Sequence, residues 1–111
     1  MVILSNAFSL NMLPETAKDI TIRIQKIDIE KAKDLLKDGF ASIVGHPDVA
    51  RILVSMLKIA IPVNRATFTW TDDIPILVAQ YRGARLPAGA TELPKGAKID
   101  FYLVTKEGED E

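Results

Sequence analysis

The chain has no cysteine and a single histidine among its 111 residues, which excludes disulfide scaffolds, thiolate zinc sites, cysteine nucleophiles and multi-histidine metal centres. No uninterrupted apolar run approaches the roughly 20 residues that a membrane-spanning helix needs. The amino terminus has no basic segment leading into a hydrophobic one, so neither secretion nor membrane insertion is expected. Aromatic residues are sparse at 6%, and neither sign of charge dominates, with 14 basic residues against 15 acidic ones. A net charge of −1 argues against non-specific capture of long nucleic acids. What remains is 48% hydrophobic, enough for one globular domain with one core.

The near-zero balance conceals an asymmetry. Residues 106–111 carry one lysine and four acids, a net of −3, which leaves the body, residues 1–105, at +2. Such a charge run cannot bury enough apolar area to order itself, so 106–111 reads as a solvated, frayed acidic tail after a folded domain of 1–105. The body retains enough positive charge to hold a small anion.

Val2-Ile-Leu4 reads as a strand, and Ser5-Asn6-Ala7-Phe8-Ser9-Leu10-Asn11 as a polar loop. Between Asp19 and Ile27, isoleucines at 20, 22 and 24 alternate with polar residues, the period of a strand with one buried face. Asp28 is placed to cap a helix that gathers Ile29, Ala32, Leu35 and Leu36 on one face and stops at Gly39. Phe40 to Val44 reads as a short apolar connection. Gly45-His46-Pro47-Asp48 opens a second helix, since proline suits the first helical position, and Val49, Ile52, Leu53, Met56 and Leu57 form its apolar stripe. Beyond Pro62, residues 66–71 and 74–81 read as two strands joined by an Asp72-Asp73 hairpin turn, with Pro75 placing one at an edge or delaying its start. Glycines and prolines crowd 83–96 into an irregular loop before a last strand from about Lys98 to Thr105. The order β, β, α, α, β, β, β predicts a single α+β domain with a five-stranded, mixed or mostly antiparallel sheet and two main helices.

Four places hold polar groups without an evident packing role. His46 stands where unpaired N–H groups and the helix dipole favour an anion, so it either caps the turn or gives a proton to a bound phosphate ester. The same dipole opposes the charged imidazolium until an anion arrives. Arg85, in the glycine-rich Tyr81-Arg-Gly-Ala-Arg-Leu-Pro-Ala-Gly89 stretch, is either a solvated loop residue or a fork for phosphate oxygens. Asn64-Arg65 either caps a strand or reaches the same side, and the Asn6 to Asn11 loop offers hydrogen-bonding groups common to any turn. Phe8, Phe40, Phe68, Trp70, Tyr81, Phe101 and Tyr102 are available to stack on bases, but strand spacing favours packing, and Phe68 and Trp70 share a face.

Asn6-Ala-Phe-Ser9-Leu-Asn11-Met-Leu13, Ser42-Ile-Val-Gly45-His46, Asn64-Arg65 and Arg85-Leu-Pro-Ala-Gly89, in this order and spacing, resemble the type III anti-CRISPR ring nuclease family, small proteins of archaeal viruses, phages and some bacterial genomes. The likeness runs from about residue 2 to 104, and the surroundings of Arg82 and Leu93 look more like phage or bacterial members. The resemblance implies a homodimer acting in the cytoplasm, the host's if the chain is viral. It implies cleavage of cyclic tetra-adenylate to linear di-adenylate with 2′,3′-cyclic phosphate ends, without metal or cofactor, which switches off type III CRISPR ancillary defence. A two-fold dimer presents the same groups twice to such a symmetric ring.

On this resemblance the general-acid histidine falls on His46, the phosphate-binding arginine on Arg85 and the loop serine on Ser9. Asn6, Asn11, Gly45 and Arg65 fall among the ligand contacts. Where the family pattern reads Arg-Leu-x-Glu-Gly, this chain has Ala88 in place of the glutamate, which implies slower turnover with binding intact. Two other functions stand beside the nuclease: a module that sequesters the cyclic nucleotide with little catalysis, and a small interaction protein whose polar loops are structural.

Overall fold

A computed structural model describes residues 1–110. The elements run β1 (Val2–Ser5), β2 (Asp19–Ile27), α1 (Ile29–Lys37), β3 (Phe40–Ser42), α2 (Pro47–Leu57), β4 (Ile76–Arg82) and β5 (Lys98–Asp110), with a 3-10 turn at Leu10–Met12. One mixed sheet has the order β2-β5-β4-β1-β3. β1 is parallel to both β3 and β4, whereas β5 is antiparallel to β4 and β2. The α+β class, the five strands and the two helices are therefore as expected, with two changes in which segments form the strands.

Residues 40–42, read as a connection, are β3, three residues long and parallel to the edge of β1. Residues 66–71, read as a strand in a hairpin, form none. Their alternation is real but serves side chains: Trp70 is fully buried with Phe68 packed beside it. The Trp70 amide donates to the Met12 carbonyl at 2.6 Å, and its indole N–H donates to the Ile74 carbonyl at 2.8 Å. No ladder partner is required, because the segment is held by what it buries. Asp72 accepts from the Ile74 amide at 3.0 Å in an Asx-type turn, and Pro75 does delay the start of β4.

The sheet has a core on each face. Alternate residues Val2, Leu4, Leu77, Ala79, Ile99 and Phe101 meet the helices, which contribute Ala32, Leu36, Val49, Ile52, Leu53 and Leu57. Ile3, Ile76, Val78 and Val104 face the opposite way, against Trp70. Burial on both faces explains the unbroken apolar run from Ile76 to Ala79. The helix boundaries follow local chemistry: the Asp28 carboxylate accepts from the Lys31 amide at 2.8 Å, and Gly39 follows α1 at φ +101°, a conformation other residues avoid.

Two expectations about the β2 edge of the sheet are corrected. β5 extends to Asp110, so Lys106 and residues 108–110, read as a frayed tail, pair with β2, while Glu107 and Gly108 stay exposed as expected. Backbone pairing needs no apolar burial, and Lys106 adds its own anchorage, with its ammonium 4.9 Å from the Trp70 ring centre and 3.0 Å from the Trp70 carbonyl. Glu111 lies outside the described residues. The second correction concerns β2, whose apolar face is incompletely covered: Ile22 packs against the Trp70 side, but Ile24 is 55% exposed.

Beyond Trp70 this open face carries a charged cluster. The Asp100 carboxylate accepts from Arg82 Nε at 2.8 Å, with Lys26 and Lys98 ammonium groups at 3.6 and 3.7 Å. Arg82 also donates to the Tyr102 hydroxyl at 2.8 Å. Partial desolvation opposes ionisation of Asp100, but the Arg82 hydrogen bond and the two lysines outweigh it and hold the carboxyl below its ordinary 3.8. A native value below the unfolded one gives a stabilisation that is whole above 3.8 and is lost as pH falls through the lowered native value. Asp100→Asn is therefore expected to flatten the acid limb of melting temperature against pH, as measured by circular dichroism between about pH 5 and pH 2.

Candidate functional site

Because β1 and β3 run parallel side by side, the loops that follow them leave the sheet at the same end. Three chain segments meet there. Asn6, just after β1, accepts from the Gly45 amide at 3.1 Å through Oδ1. Arg65 donates from Nε to the Gly45 carbonyl at 2.7 Å. Both backbone polar groups of Gly45 are thus held by side chains distant in sequence. A Cβ at this position would lie 3.2 Å from Arg65 Cγ, so the close approach of Arg65 depends on glycine.

The neighbouring residues reinforce this arrangement. The Asn64 amide donates to the Val44 carbonyl at 2.8 Å and its side chain donates to the Ser42 carbonyl at 3.2 Å. The Ser42 hydroxyl donates to the Pro62 carbonyl at 2.6 Å. The 62–65 segment is consequently laced along the chain that links β3 to α2. Of the two readings left open for Asn64-Arg65, the strand cap does not arise, because no strand follows.

These segments enclose a cavity of about 330 Å³, whose lining includes Asn6, Ser9, Asn11, Gly45 and Arg65. Five of the residues singled out in the sequence therefore share one space. Ser9 precedes the 3-10 turn, but its hydroxyl makes no capping hydrogen bond, and Ser9 and Asn11 are both exposed. The cavity is polar where these groups face it and apolar at Ile43 and Phe68.

His46 lies one residue beyond the lining. It is the N-cap of α2, with Pro47 following, and its Nδ1 accepts from the Val49 amide at 3.3 Å. The capping reading is thus realised, and it carries a chemical consequence. With Nδ1 occupied as an acceptor, the proton of the neutral ring resides on Nε2, the nitrogen left for a ligand. The ring is exposed.

Arg85 and Ala88 do not line the cavity. They lie exposed on the loop joining β4 to β5, which reaches the beginning of α2 by another route. The Gly89 amide donates to Asp48 Oδ1 at 3.2 Å, Asp48 pairs with Arg51, and Arg51 Nε approaches the Ala90 carbonyl at 3.5 Å. Asp48 has no signal in the sequence. An acid in the first turn of a helix is ordinary, and its partner is 41 positions away, so no local pattern signals it. Among the described residues no group of three or more His, Cys, Asp or Glu is arranged to hold a metal ion, and no helix is long and apolar enough to cross a membrane.

The comparisons agree with this architecture over almost its full extent. A relative from Sulfolobus islandicus filamentous virus (isolate Iceland/Hveragerdi), "Uncharacterized protein 26", is 32% identical over 90 residues, covering 80% of this chain and 74% of its own length. The solved structure of B116 of Sulfolobus turreted icosahedral virus superposes with a TM-score of 0.74 at 30% identity, covering 94% of this chain and 97% of that one. The family model described as STIV B116-like matches residues 2–103, so the loops that build the cavity and cap α2 are those of a chain that belongs to the STIV B116-like family.

Proposed function

We propose that this protein is a metal-independent ring nuclease that cleaves cyclic tetra-adenylate to linear di-adenylate with 2′,3′-cyclic phosphate ends, and so silences type III CRISPR ancillary defence. The observation that carries this reading is the placement of the chain's single histidine, with Nε2 available, beside a cavity lined by Asn6, Ser9, Asn11 and Arg65. At each of two opposite linkages a ribose 2′-hydroxyl attacks the adjacent phosphorus and loses its proton to solvent while the bond from phosphorus to the 5′-oxygen breaks. The protein's task is to align the two oxygens, to stabilise the charge on the phosphorane and to give a proton to the departing 5′-oxygen.

Arg85, exposed and without an ion-pair partner among the described residues, supplies the fork for phosphate oxygens. Ser9, Asn6, Asn11 and Arg65 hold the ring, with Gly45 keeping the backbone close. His46 gives the proton from Nε2. To do so and end neutral it must begin as imidazolium, which places a proton on Nδ1 as well. The cap to Val49 and a ring protonated on both nitrogens therefore exclude each other, so a His46 that acts as the acid leaves the Val49 N–H to the bound anion. The open face of β2, β5 and β4, with Ile24 exposed, supports assembly as a homodimer that presents these groups twice to a symmetric ligand.

Ala88 favours a second reading, capture of the ring with little cleavage, because the acid implied by the resemblance is missing. One experiment separates the two. The protein is incubated with cyclic tetra-adenylate in chelator and the products are separated by chromatography. Linear di-adenylate with cyclic phosphate ends, formed faster by Ala88→Glu, supports the nuclease. Bound but intact ring supports sequestration, and absence of binding rejects both.

A further inference from the structure

The β4–β5 loop is secured on both sides of Arg85, while Arg85 itself has no hydrogen-bond or ion-pair partner among the described residues. On one side, the Tyr81 hydroxyl donates to the Ala84 carbonyl at 2.5 Å. Gly83 is packed so closely there that a Cβ would lie 2.8 Å from the Ala97 side chain. On the other side, the Gly89 amide donates to Asp48, and Arg51 joins Asp48 and approaches the Ala90 carbonyl. Leu86 and Ala90 pack against the helix-side core between and beside these ties. The loop is fastened on both sides, and Arg85 lies exposed between the ties.

We propose that Asp48 is a positioning residue: with Arg51 it clasps the Arg85 loop to the first turn of α2 and so fixes Arg85 and residue 88 relative to His46, an inference that rests on the ring-nuclease reading. Asp48 lies two residues after His46, and its partner Gly89 lies immediately after Ala88 and four residues after Arg85. An acid that served the helix dipole alone would need no partner outside the helix. The Asp48 side chain is only 17% exposed, and a single oxygen serves both the Arg51 guanidinium and the Gly89 amide. Gly89 adopts φ +80° with open space around its Cα, so its conformation is set by the turn that directs its N–H to Asp48 and not by crowding. A charged pair at the base of a loop is a stiff fastening, since a carboxylate acceptor makes a stronger hydrogen bond than a neutral one.

The test compares the native chain with Asp48→Ala and Asp48→Asn in two measurements. The first is hydrogen exchange at the Gly89 amide by NMR. It is expected to be protected in the native protein and in Asp48→Asn, whose amide oxygen still accepts, and exposed in Asp48→Ala. The second is cleavage of cyclic tetra-adenylate per folded molecule. Asp48→Ala is expected to lower kcat about tenfold to a hundredfold with little change in KM, the penalty of a reacting geometry misplaced by about 1 Å. Asp48→Asn is expected to recover most of the loss. A residue that merely stabilises the fold would lower the melting temperature and leave kcat per folded molecule unaltered.

Loss of Gly89 protection with kcat unchanged overturns the positioning role, and a rapidly exchanging Gly89 amide in the native protein overturns the clasp itself. If the native protein and Ala88→Glu both leave the ring uncleaved, the nuclease reading fails and the positioning role falls with it, while Gly89 exchange still decides whether the clasp exists.

Discussion

Replacing His46 with Ala is expected to slow ring cleavage by about 10² to 10⁴-fold, the usual contribution of a positioned proton donor, while binding of the ring changes far less. The substitution also removes the N-cap of α2, so it carries a stability cost of about 1 kcal/mol, which for a chain of this size lowers the melting temperature by a few degrees. The two effects have separate origins and can be separated. His46→Asn keeps a good capping acceptor for the Val49 amide but has no proton to give at a useful acidity. It is expected to melt with the native protein and to cleave as poorly as His46→Ala. Single-turnover cleavage and thermal melts on the three proteins provide the comparison, and cleavage by His46→Asn at the native rate would remove His46 from the chemistry.

The second large effect is on stability. Trp70→Ala is expected to cost about 3–5 kcal/mol, as truncation of a fully buried aromatic does, out of a total that for domains of this kind is about 5–15 kcal/mol. Three contacts are lost together: the indole N–H to the Ile74 carbonyl, the edge-on Phe8 ring at 6.1 Å, and the Lys106 ammonium above the ring. Trp70→Phe retains most of the packing and leaves the Ile74 carbonyl without its donor, so about 1–3 kcal/mol is expected. Urea unfolding followed by far-ultraviolet circular dichroism measures all three proteins on one signal, since Trp70 is the chain's single tryptophan and its fluorescence is absent from the variants. The loss extends to function. The backbone amide of residue 70 still donates to the Met12 carbonyl, but without the buried indole nothing holds the segment descending from Arg65 against the sheet, so that wall of the cavity loosens.

What was legible in the sequence was whatever is decided within a few residues. The alternation of Ile20, Ile22 and Ile24, the Asp28 cap, the Pro47 start and the Gly39 stop each have a local cause, and each element lies where that cause places it. The structure departs from the local pattern where partners are remote. Phe40–Ser42 is too short to show a period of its own and becomes a strand because β1 is there to pair with it. Residues 66–71 show the period and form no strand, because the sheet positions beside β4 are already taken by β1 and β5. The run after Thr105 is ordered through the backbone of β2, which the composition of its side chains does not reveal.

The candidate site divides in the same way. His46 at a helix start and the polar loop after β1 can be recognised as residue types in a suitable pattern. That Asn6 and Arg65 both fasten Gly45, or that Asp48 reaches Gly89, depends on tertiary geometry with no local trace. Ala88 is visible as a departure from a pattern, but which carboxylate then lies nearest to the loop becomes apparent only when α2 and the loop are seen together.

The position of β1 has a consequence for how the molecule comes into being. The first strand of the chain is an interior strand of the sheet, joined on one side to Phe40–Ser42 and on the other to residues 76–78. As the protein leaves the ribosome, β1 must wait with an unpaired edge until most of the chain has been made, and the closing of so long a loop delays the step that completes the sheet. The cavity at that end of the sheet is lined by residues between Ser5 and Phe68, so its walls are all made before the strand that completes the pairing of β1, and they gain a finished sheet to stand on only when residues 76–78 arrive.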